Sequence, residues 1–129
     1  YITNVLKDLT LELLYKLGAG WITLWVLMLW FAPKKFFEMG GVEPTDNLRV
    51  MARYLGLAMA AITLFHLSIP MWAEENIKKF GQVTAALWGA FFLMNVYDLY
   101  AGITPSSGQN IFGAAMLSVF GSLFYLKSQ

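Results

Sequence analysis

The chain has 129 residues, of which 58% are hydrophobic and 13% charged, and its net charge at pH 7 is +1. This composition excludes an ordinary soluble domain, because such domains carry about 25% charged residues and a small domain leaves much of its surface in water. It gives no sign of a nucleic-acid surface, and a chain without cysteine has no disulfide, iron–sulfur cluster or cysteine-ligated zinc.

Four long stretches contain no Asp, Glu, Lys or Arg: 17–33, 54–73, 80–97 and 99–126. A helix needs about 20 apolar residues to cross a bilayer core roughly 30 Å thick, and helices satisfy their own backbone groups there. We therefore expect an all-α fold, a four-helix transmembrane bundle with a short amphipathic N-terminal helix. A single transmembrane domain is expected over residues 1–129, with crossings at about 17–32, 50–73, 80–100 and 108–126.

The segment before the first crossing, residues 1–16, has an amphipathic helical pattern. Its polar face consists of Asn4, Lys7, Asp8, Glu12 and Lys16. Its apolar face consists of Ile2, Val5, Leu6, Leu9, Leu13 and Leu14. Such a helix either lies at the membrane interface or extends the first crossing into the headgroups.

Proline and capping residues predict the ends of the first two crossings. Pro33 ends the first crossing, because proline cannot continue a helix. Residues 33–44 are expected to form a loop, since they contain several turn-forming glycines and prolines. Thr45 or Asp46 caps the second crossing.

Turn residues likewise separate the last two crossings. Gly102 closes the third crossing just after Tyr100, and Ser106 with Gln109 has the S-x-x-Q spacing of a capping box that starts the fourth. Four crossings place both ends of the chain on one side of the membrane. The basic residues are then almost evenly divided between the sides, so the positive-inside rule predicts no orientation.

Small residues recur four apart within the last three crossings. The rows are Gly56 and Ala60; Ala85 and Gly89; Ala86 and Ala90; and Ala114, Ser118 and Ser122, flanked by Gly113 and Gly121. Small residues at this spacing let helix backbones approach closely in lipid. They indicate either packing within the bundle or docking to a larger membrane partner.

His66 is the only histidine and lies inside the second crossing, four residues before Pro70. Pro70 cannot donate to the His66 carbonyl, so a kink is expected there. Ionisable residues at membrane depth usually face the protein interior or a ligand. His66 is therefore a hydrogen-bonded interior residue, an axial nitrogen ligand of a pigment or haem, or a group that handles a substrate or proton. One histidine does not make a closed metal site, and none is expected.

Asn95 is the second candidate cofactor-binding residue, and Asp98 lies one helical turn beyond it. Asp98 is expected to accept a hydrogen bond or to pair with Arg49 or Arg53, which lie on the same side of the membrane. The alternatives are a structural pair at the interface and a polar ligand site.

The stretch from Phe31 to Val42, FAPKKFFEMGGV, is followed by NLRVMARYLG from Asn47 to Gly56. It resembles a family of small four-helix integral membrane proteins of unknown function, in outline over residues 17–126. In its general character the chain also resembles accessory subunits of algal photosystem–antenna supercomplexes. It lacks the paired Glu and Arg of a chlorophyll a/b antenna protein within a crossing.

No Ser/His/Asp pattern, glycine-rich phosphate loop or HExxH motif is present in the sequence, so neither an enzyme nor a catalytic residue is expected. We expect an accessory subunit of a larger membrane assembly, of the photosystem–antenna kind, in the thylakoid or alternatively another organellar or a bacterial inner membrane. Its expected partners are integral membrane subunits and lipids, with chlorophyll and carotenoid as peripheral pigments. The alternative is a small carrier or redox helper acting on a quinone-like or lipid substrate, with His66, Pro70, Asn95 and Asp98 around a pocket.

Overall fold

The protein is described here by a computed structural model, which covers the backbone of residues 2–129 and the side chains from Asn4 onward. This part of the chain is 85% helical and contains no strand, so the predicted all-α class is confirmed. Tyr1 and the side chain of Ile2, which belong to the predicted amphipathic segment, lie outside the described residues. The helices are α1 (Ile2–Asp8), α2 (Leu11–Phe31), α3 (Pro33–Met39), α4 (Asp46–Trp72), α5 (Ile77–Tyr100) and α6 (Gly108–Lys127), with one 3₁₀ turn at Glu74–Asn76.

Three of these helices, α2, α4 and α6, are long and apolar enough to cross a membrane, which indicates a membrane protein. α5 has 24 residues and is therefore also long enough for a crossing. Polar side chains such as Gln82 and Asn95 lower its hydropathy, and it is not among the three. The crossing expected at 80–100, which corresponds to α5, thus stays a prediction.

The first long helix begins earlier than expected. Thr10 is its N-cap, and the Thr10 hydroxyl accepts a hydrogen bond from the Leu13 amide at 3.1 Å. The cap satisfies one of the amide groups that a helix start leaves without a partner. The helix therefore extends beyond the expected crossing of 17–32 on its N-terminal side, and the amphipathic segment is divided between α1 and the first turns of α2.

The expected loop after Pro33 is wrong in its first half, because Pro33 occupies the first turn of α3. Proline suits that position, where its missing N–H is not needed. Gly41, at φ 78°, then provides a left-handed turn that glycine adopts easily. The predicted cap at Thr45 is confirmed, since its hydroxyl accepts from the Leu48 amide at 3.2 Å.

The last two helices end and begin close to the expected residues. Gly102, at φ 74°, follows the end of α5 as predicted. The predicted capping box at Ser106 is wrong by one residue, because the Ser107 hydroxyl accepts from the Asn110 amide at 3.2 Å and caps α6.

The long helices pack as two pairs. α2 packs mainly on α4, and α5 packs mainly on α6, whereas α4 and α5 make little contact. In the first pair Gly56 makes room for Trp30, whose indole lies where a Cβ would be. In the second pair a Cβ on Gly121 would lie 3.5 Å from the Gly89 nitrogen. Some of the predicted small residues therefore serve packing within the bundle.

The outer faces of both pairs are rich in exposed large apolar side chains. They include Leu24, Leu57, Leu64, Val83, Leu93, Val119 and Leu126. Apolar surface this extensive is unfavourable in water and marks a membrane or protein contact.

Candidate functional site

His66 lies between the two helix pairs and is only 1% exposed. Its Nε2 accepts a hydrogen bond from the Trp88 indole N–H at 3.1 Å. Because an indole nitrogen only donates, the ring proton must be on Nδ1. Nδ1 lies 2.9 Å from the Ile62 carbonyl oxygen, to which it donates. His66 is therefore held as the neutral Nδ1–H tautomer, with both nitrogens occupied.

A second hydrogen bond joins the pairs beside His66. The hydroxyl groups of Tyr15 in α2 and Thr84 in α5 are 2.7 Å apart, and Tyr15 is fully buried. The fully buried Phe124 ring of α6 packs edge-on against both residues, with its centre 4.8 Å from that of the Tyr15 ring and 5.8 Å from that of the His66 ring. We call five residues the clamp: Tyr15, His66, Thr84, Trp88 and Phe124.

Gly18 lets α2 approach the clamp. A Cβ at this position would lie 3.2 Å from His66 Cδ2 and 3.5 Å from the Trp88 ring. The first distance is tighter than an ordinary contact, so a larger residue at this position would require the His66 ring to shift by a few tenths of an ångström.

Axial ligation by His66 requires a free ring nitrogen, and the Trp88 hydrogen bond occupies Nε2. A pigment ligand at this position would have to break that bond. The geometry is that of the first alternative, a hydrogen-bonded interior histidine, and the ligand role stays a prediction. Across residues 2–129, no three His, Cys, Asp or Glu side chains gather closely enough to hold a metal ion.

A cavity of about 310 Å³ separates the two pairs in the other half of the bundle, away from the ends of the chain. Its walls are mainly apolar and come from all four long helices and α3. The aromatic residues of the wall are Trp21, Trp25, Phe36, Trp88 and Phe91. The aliphatic wall includes Ile22, Leu29, Leu55, Met59, Ile62, Leu87 and Leu117.

Three amide side chains, Asn95, Gln109 and Asn110, form the polar part of the cavity wall. Gln109 Nε2 donates to the Phe36 carbonyl at 3.1 Å. Asn110 Nδ2 donates to the carbonyls of Gly40 and Pro105, each at 2.8 Å. The bonds to Phe36 and Gly40 attach α3 and its C-terminal end to the first turn of α6, and the bond to Pro105 holds the loop before α6.

Gln109 has one buried polar atom without a partner. Its Oε1 is buried and has no hydrogen-bond partner among the described residues. The partner of Nε2 is a carbonyl, which only accepts, so the orientation of the amide is fixed and Oε1 cannot exchange places with it. A buried acceptor without a partner costs about 1–3 kcal/mol.

The predicted site residues fall in different places. Asn95 lines the cavity, whereas His66 does not. Trp88 lies between them, because it belongs to the cavity wall and donates a hydrogen bond to His66. Asp98 and Pro70 are absent from the wall. The pocket expected around all four residues is therefore wrong in its composition.

The expected ion pair of Asp98 with Arg49 or Arg53 is also wrong. The ion pair that the described residues contain is Lys16–Glu12, at 3.5 Å. The reason is the pairing of the helices: both arginines lie at the start of α4, which makes little contact with α5.

A second concavity lies on the outer face of α5 and α6. It is lined by small residues from the predicted rows, with a few larger ones at its ends. The small residues are Ala85, Ala86, Gly89, Ser118, Gly121 and Ser122.

Comparison of the chain with protein-family models gives no match, and neither curated proteins nor solved structures give a significant one. The resemblance to small four-helix membrane proteins and to photosystem accessory subunits therefore stays a prediction.

Proposed function

We propose that the protein is a non-enzymatic integral membrane protein that crosses the bilayer four times and binds a small, largely apolar molecule from the lipid phase. The cavity between the helix pairs is the observation that carries this proposal. Ligand pockets are typically about 300–1,000 Å³, mainly apolar and aromatic, with a few polar groups that orient the ligand. The cavity, at about 310 Å³, has this size and this lining.

The position of the cavity supports access from lipid. Leu55 of α4 and Leu87 and Phe91 of α5 line it, and all three are exposed on the outside of the bundle. Because α4 and α5 make little contact, the gap between them opens towards the hydrocarbon. A quinone-like ring or an isoprenoid or lipid chain suits such a gap, and these are the substrates of the carrier alternative.

Filling the cavity should abolish binding. An added Cβ at Gly113, on the cavity wall, has no neighbouring atom within 4 Å, so Gly113→Leu has room to begin its side chain there and is expected to extend it into the cavity. We expect it to weaken binding of 4-hexylphenol at least about tenfold, measured by tryptophan fluorescence in detergent.

Gly20→Leu is the matched control. Gly20 is also helical and also has space for a Cβ, but it lies outside the cavity wall. This variant should bind 4-hexylphenol like the natural chain. Equal binding by Gly113→Leu, or no saturable binding by the natural chain, would remove the proposal.

The crossing proposed for α5 is tested by labelling the two turns that flank this helix. The chain has no cysteine, so single substitutions provide unique labelling sites. In oriented proteoliposomes, Glu75→Cys and Ser106→Cys should react with an impermeant maleimide from opposite sides. Glu43→Cys, before α4, should react from the same side as Ser106→Cys. Labelling of both α5 flanks from one side would contradict four crossings.

The second candidate function, an accessory subunit of a larger membrane assembly, is favoured by the small-residue concavity on α5 and α6. Small residues let the helix of another subunit approach closely. The photosystem–antenna assembly, its chlorophyll and carotenoid and the thylakoid membrane are the specific form of this proposal, and they rest on the general resemblance of the sequence.

In mild detergent an accessory subunit should migrate within a larger complex whose subunits and absorption spectrum can be recorded. For the photosynthetic form, that complex should be coloured. Migration as a colourless monomer would reject this second function and leave the ligand-binding proposal standing.

A further inference from the structure

Asn95 is a polar residue of the cavity wall whose amide is open to a ligand. It belongs to a row in α5 with Leu87 and Phe91, spaced four apart, and all three residues line the cavity. Residues at this spacing lie on one face of a helix. The Asn95 side chain is partly buried and has no hydrogen bond with another described residue, yet neither Oδ1 nor Nδ2 is a buried atom without a partner. Both polar atoms therefore keep accessible surface.

The other polar side chains of the wall offer a ligand less. Gln109 Nε2 and Asn110 Nδ2 donate to backbone carbonyls, and Gln109 Oε1 is fully covered. The indole groups of the wall can only donate. Among the described residues that line the cavity, Asn95 thus offers both a free donor and a free acceptor.

The wall is also without charge. None of its described residues is Asp, Glu, Lys, Arg or His. A charged group would lose its hydration in such a site and gain no partner, which is strongly unfavourable. We propose that the cavity ligand is an uncharged amphiphile whose polar group both donates and accepts a hydrogen bond, and that Asn95 binds this group through Oδ1 and Nδ2. This inference rests on the proposed ligand-binding function.

The position of Asn95 in α5 indicates how the ligand lies. Asn95 is five residues before Tyr100, the last residue of the helix, or about 7.5 Å along the helix axis. If α5 crosses the bilayer, the amide lies just inside the interface, and Phe91 and Trp88 lie deeper. A ligand with its polar group at Asn95 extends its apolar part past these rings towards the centre of the membrane. The class that fits is a lipid-soluble alcohol, phenol or carboxamide.

The test compares two probes of nearly the same shape. 4-Hexylphenol carries a hydroxyl group where 4-hexyltoluene carries a methyl group. Asn95→Leu replaces the amide by an apolar side chain of similar size. It should weaken binding of the phenol about fivefold to tenfold, as expected for the loss of a hydrogen bond, and change binding of the toluene by less than about twofold. Tryptophan fluorescence in detergent gives the dissociation constants, and comparing each probe between variants cancels its partition into the detergent.

Gln82→Leu is the matched control for the loss of an amide from α5. Gln82 lies outside the cavity wall and donates to the Ser128 carbonyl at 3.3 Å. This variant should bind both probes like the natural chain.

A second pair of probes tests the charge of the ligand. 4-Hexylbenzamide and ionised 4-hexylbenzoate are similar in shape, but the second is an anion. The natural chain should bind the benzamide at the site that Gly113→Leu fills, and it should show no such binding of the benzoate.

The outcomes are distinguishable from those of the cavity proposal. Unchanged phenol binding in Asn95→Leu, with binding lost in Gly113→Leu, would overturn the role of Asn95 and keep the cavity site. Equal weakening of phenol and toluene by Asn95→Leu would assign Asn95 to packing and overturn its hydrogen bond to the ligand. Benzoate binding as tight as that of the benzamide would overturn the uncharged class. Saturable binding of no probe by the natural chain would remove both proposals.

Discussion

Phe124→Ala is expected to lower the free energy of unfolding by about 3–5 kcal/mol, the range for removing a fully buried phenylalanine. The Phe124 ring lies 4.8 Å from the Tyr15 ring and 6.2 Å from that of Trp88, between α2, α4 and α5. Its removal leaves a void where all four long helices meet. Inside a bilayer, packing of this kind is a main source of helix association, so the loss should be large.

Tyr125→Ala provides the matched control for this prediction. Tyr125 is the next residue in α6 and is 58% exposed, so its truncation should change stability by no more than about 0.5 kcal/mol. Circular dichroism during unfolding of the detergent-solubilised protein measures both variants. Similar losses for the two residues would show that the four helices do not meet at Phe124.

His66→Leu has the second-largest expected effect, a loss of about 1–3 kcal/mol. The substitution leaves the Trp88 indole N–H buried without its acceptor, and an unsatisfied buried donor costs about that much. Thr63→Val is the control, because the Thr63 hydroxyl bonds only within its own helix, to the Met59 carbonyl. Its effect should be clearly smaller in the same unfolding experiment.

A double-mutant cycle isolates the bond between the two helices. Trp88→Phe removes the donor, and the coupling between His66→Leu and Trp88→Phe should be up to about 1.7 kcal/mol, as for hydrogen bonds between membrane helices. Strictly additive losses would mean that the 3.1 Å bond contributes nothing to stability.

The same position tests the pigment hypothesis. His66→Phe should leave the pigment content of the purified protein unchanged while stability falls, because Nε2 is engaged by Trp88. Loss of one pigment per protein would instead establish His66 as an axial ligand and show that the Trp88 bond opens on binding.

Local sequence signals predict much of this fold. Thr45 and Gly102 mark a helix start and a helix end because capping and left-handed turns depend only on neighbouring residues. The start of α3 was available from the same kind of signal, proline in a first helical turn. The glycines at 40 and 41 favour a loop, and this signal outweighs the helical one for residues 33–39.

The candidate site could be predicted only in part. The sequence predicts a functional or structural role for His66, because an imidazole at membrane depth needs a partner. No local pattern identifies Trp88 as that partner. The sequence predicts Gln109 only as a capping residue. Its place in the cavity wall depends on how the two helix pairs meet. Topology predicts that Asp98 lies near Arg49 and Arg53, but the pairing of the helices leaves α4 and α5 with little contact.

The pairing of the helices has a consequence for the order of assembly. The partners in each pair follow one another along the chain, 11–72 for the first pair and 77–127 for the second. Each can therefore form a helical hairpin as soon as its own residues are inserted, because the connection to close is 32–45, which includes α3, in the first pair and 101–107 in the second. The clamp and the cavity require both hairpins, so they arise last, when two preformed halves meet in the plane of the membrane.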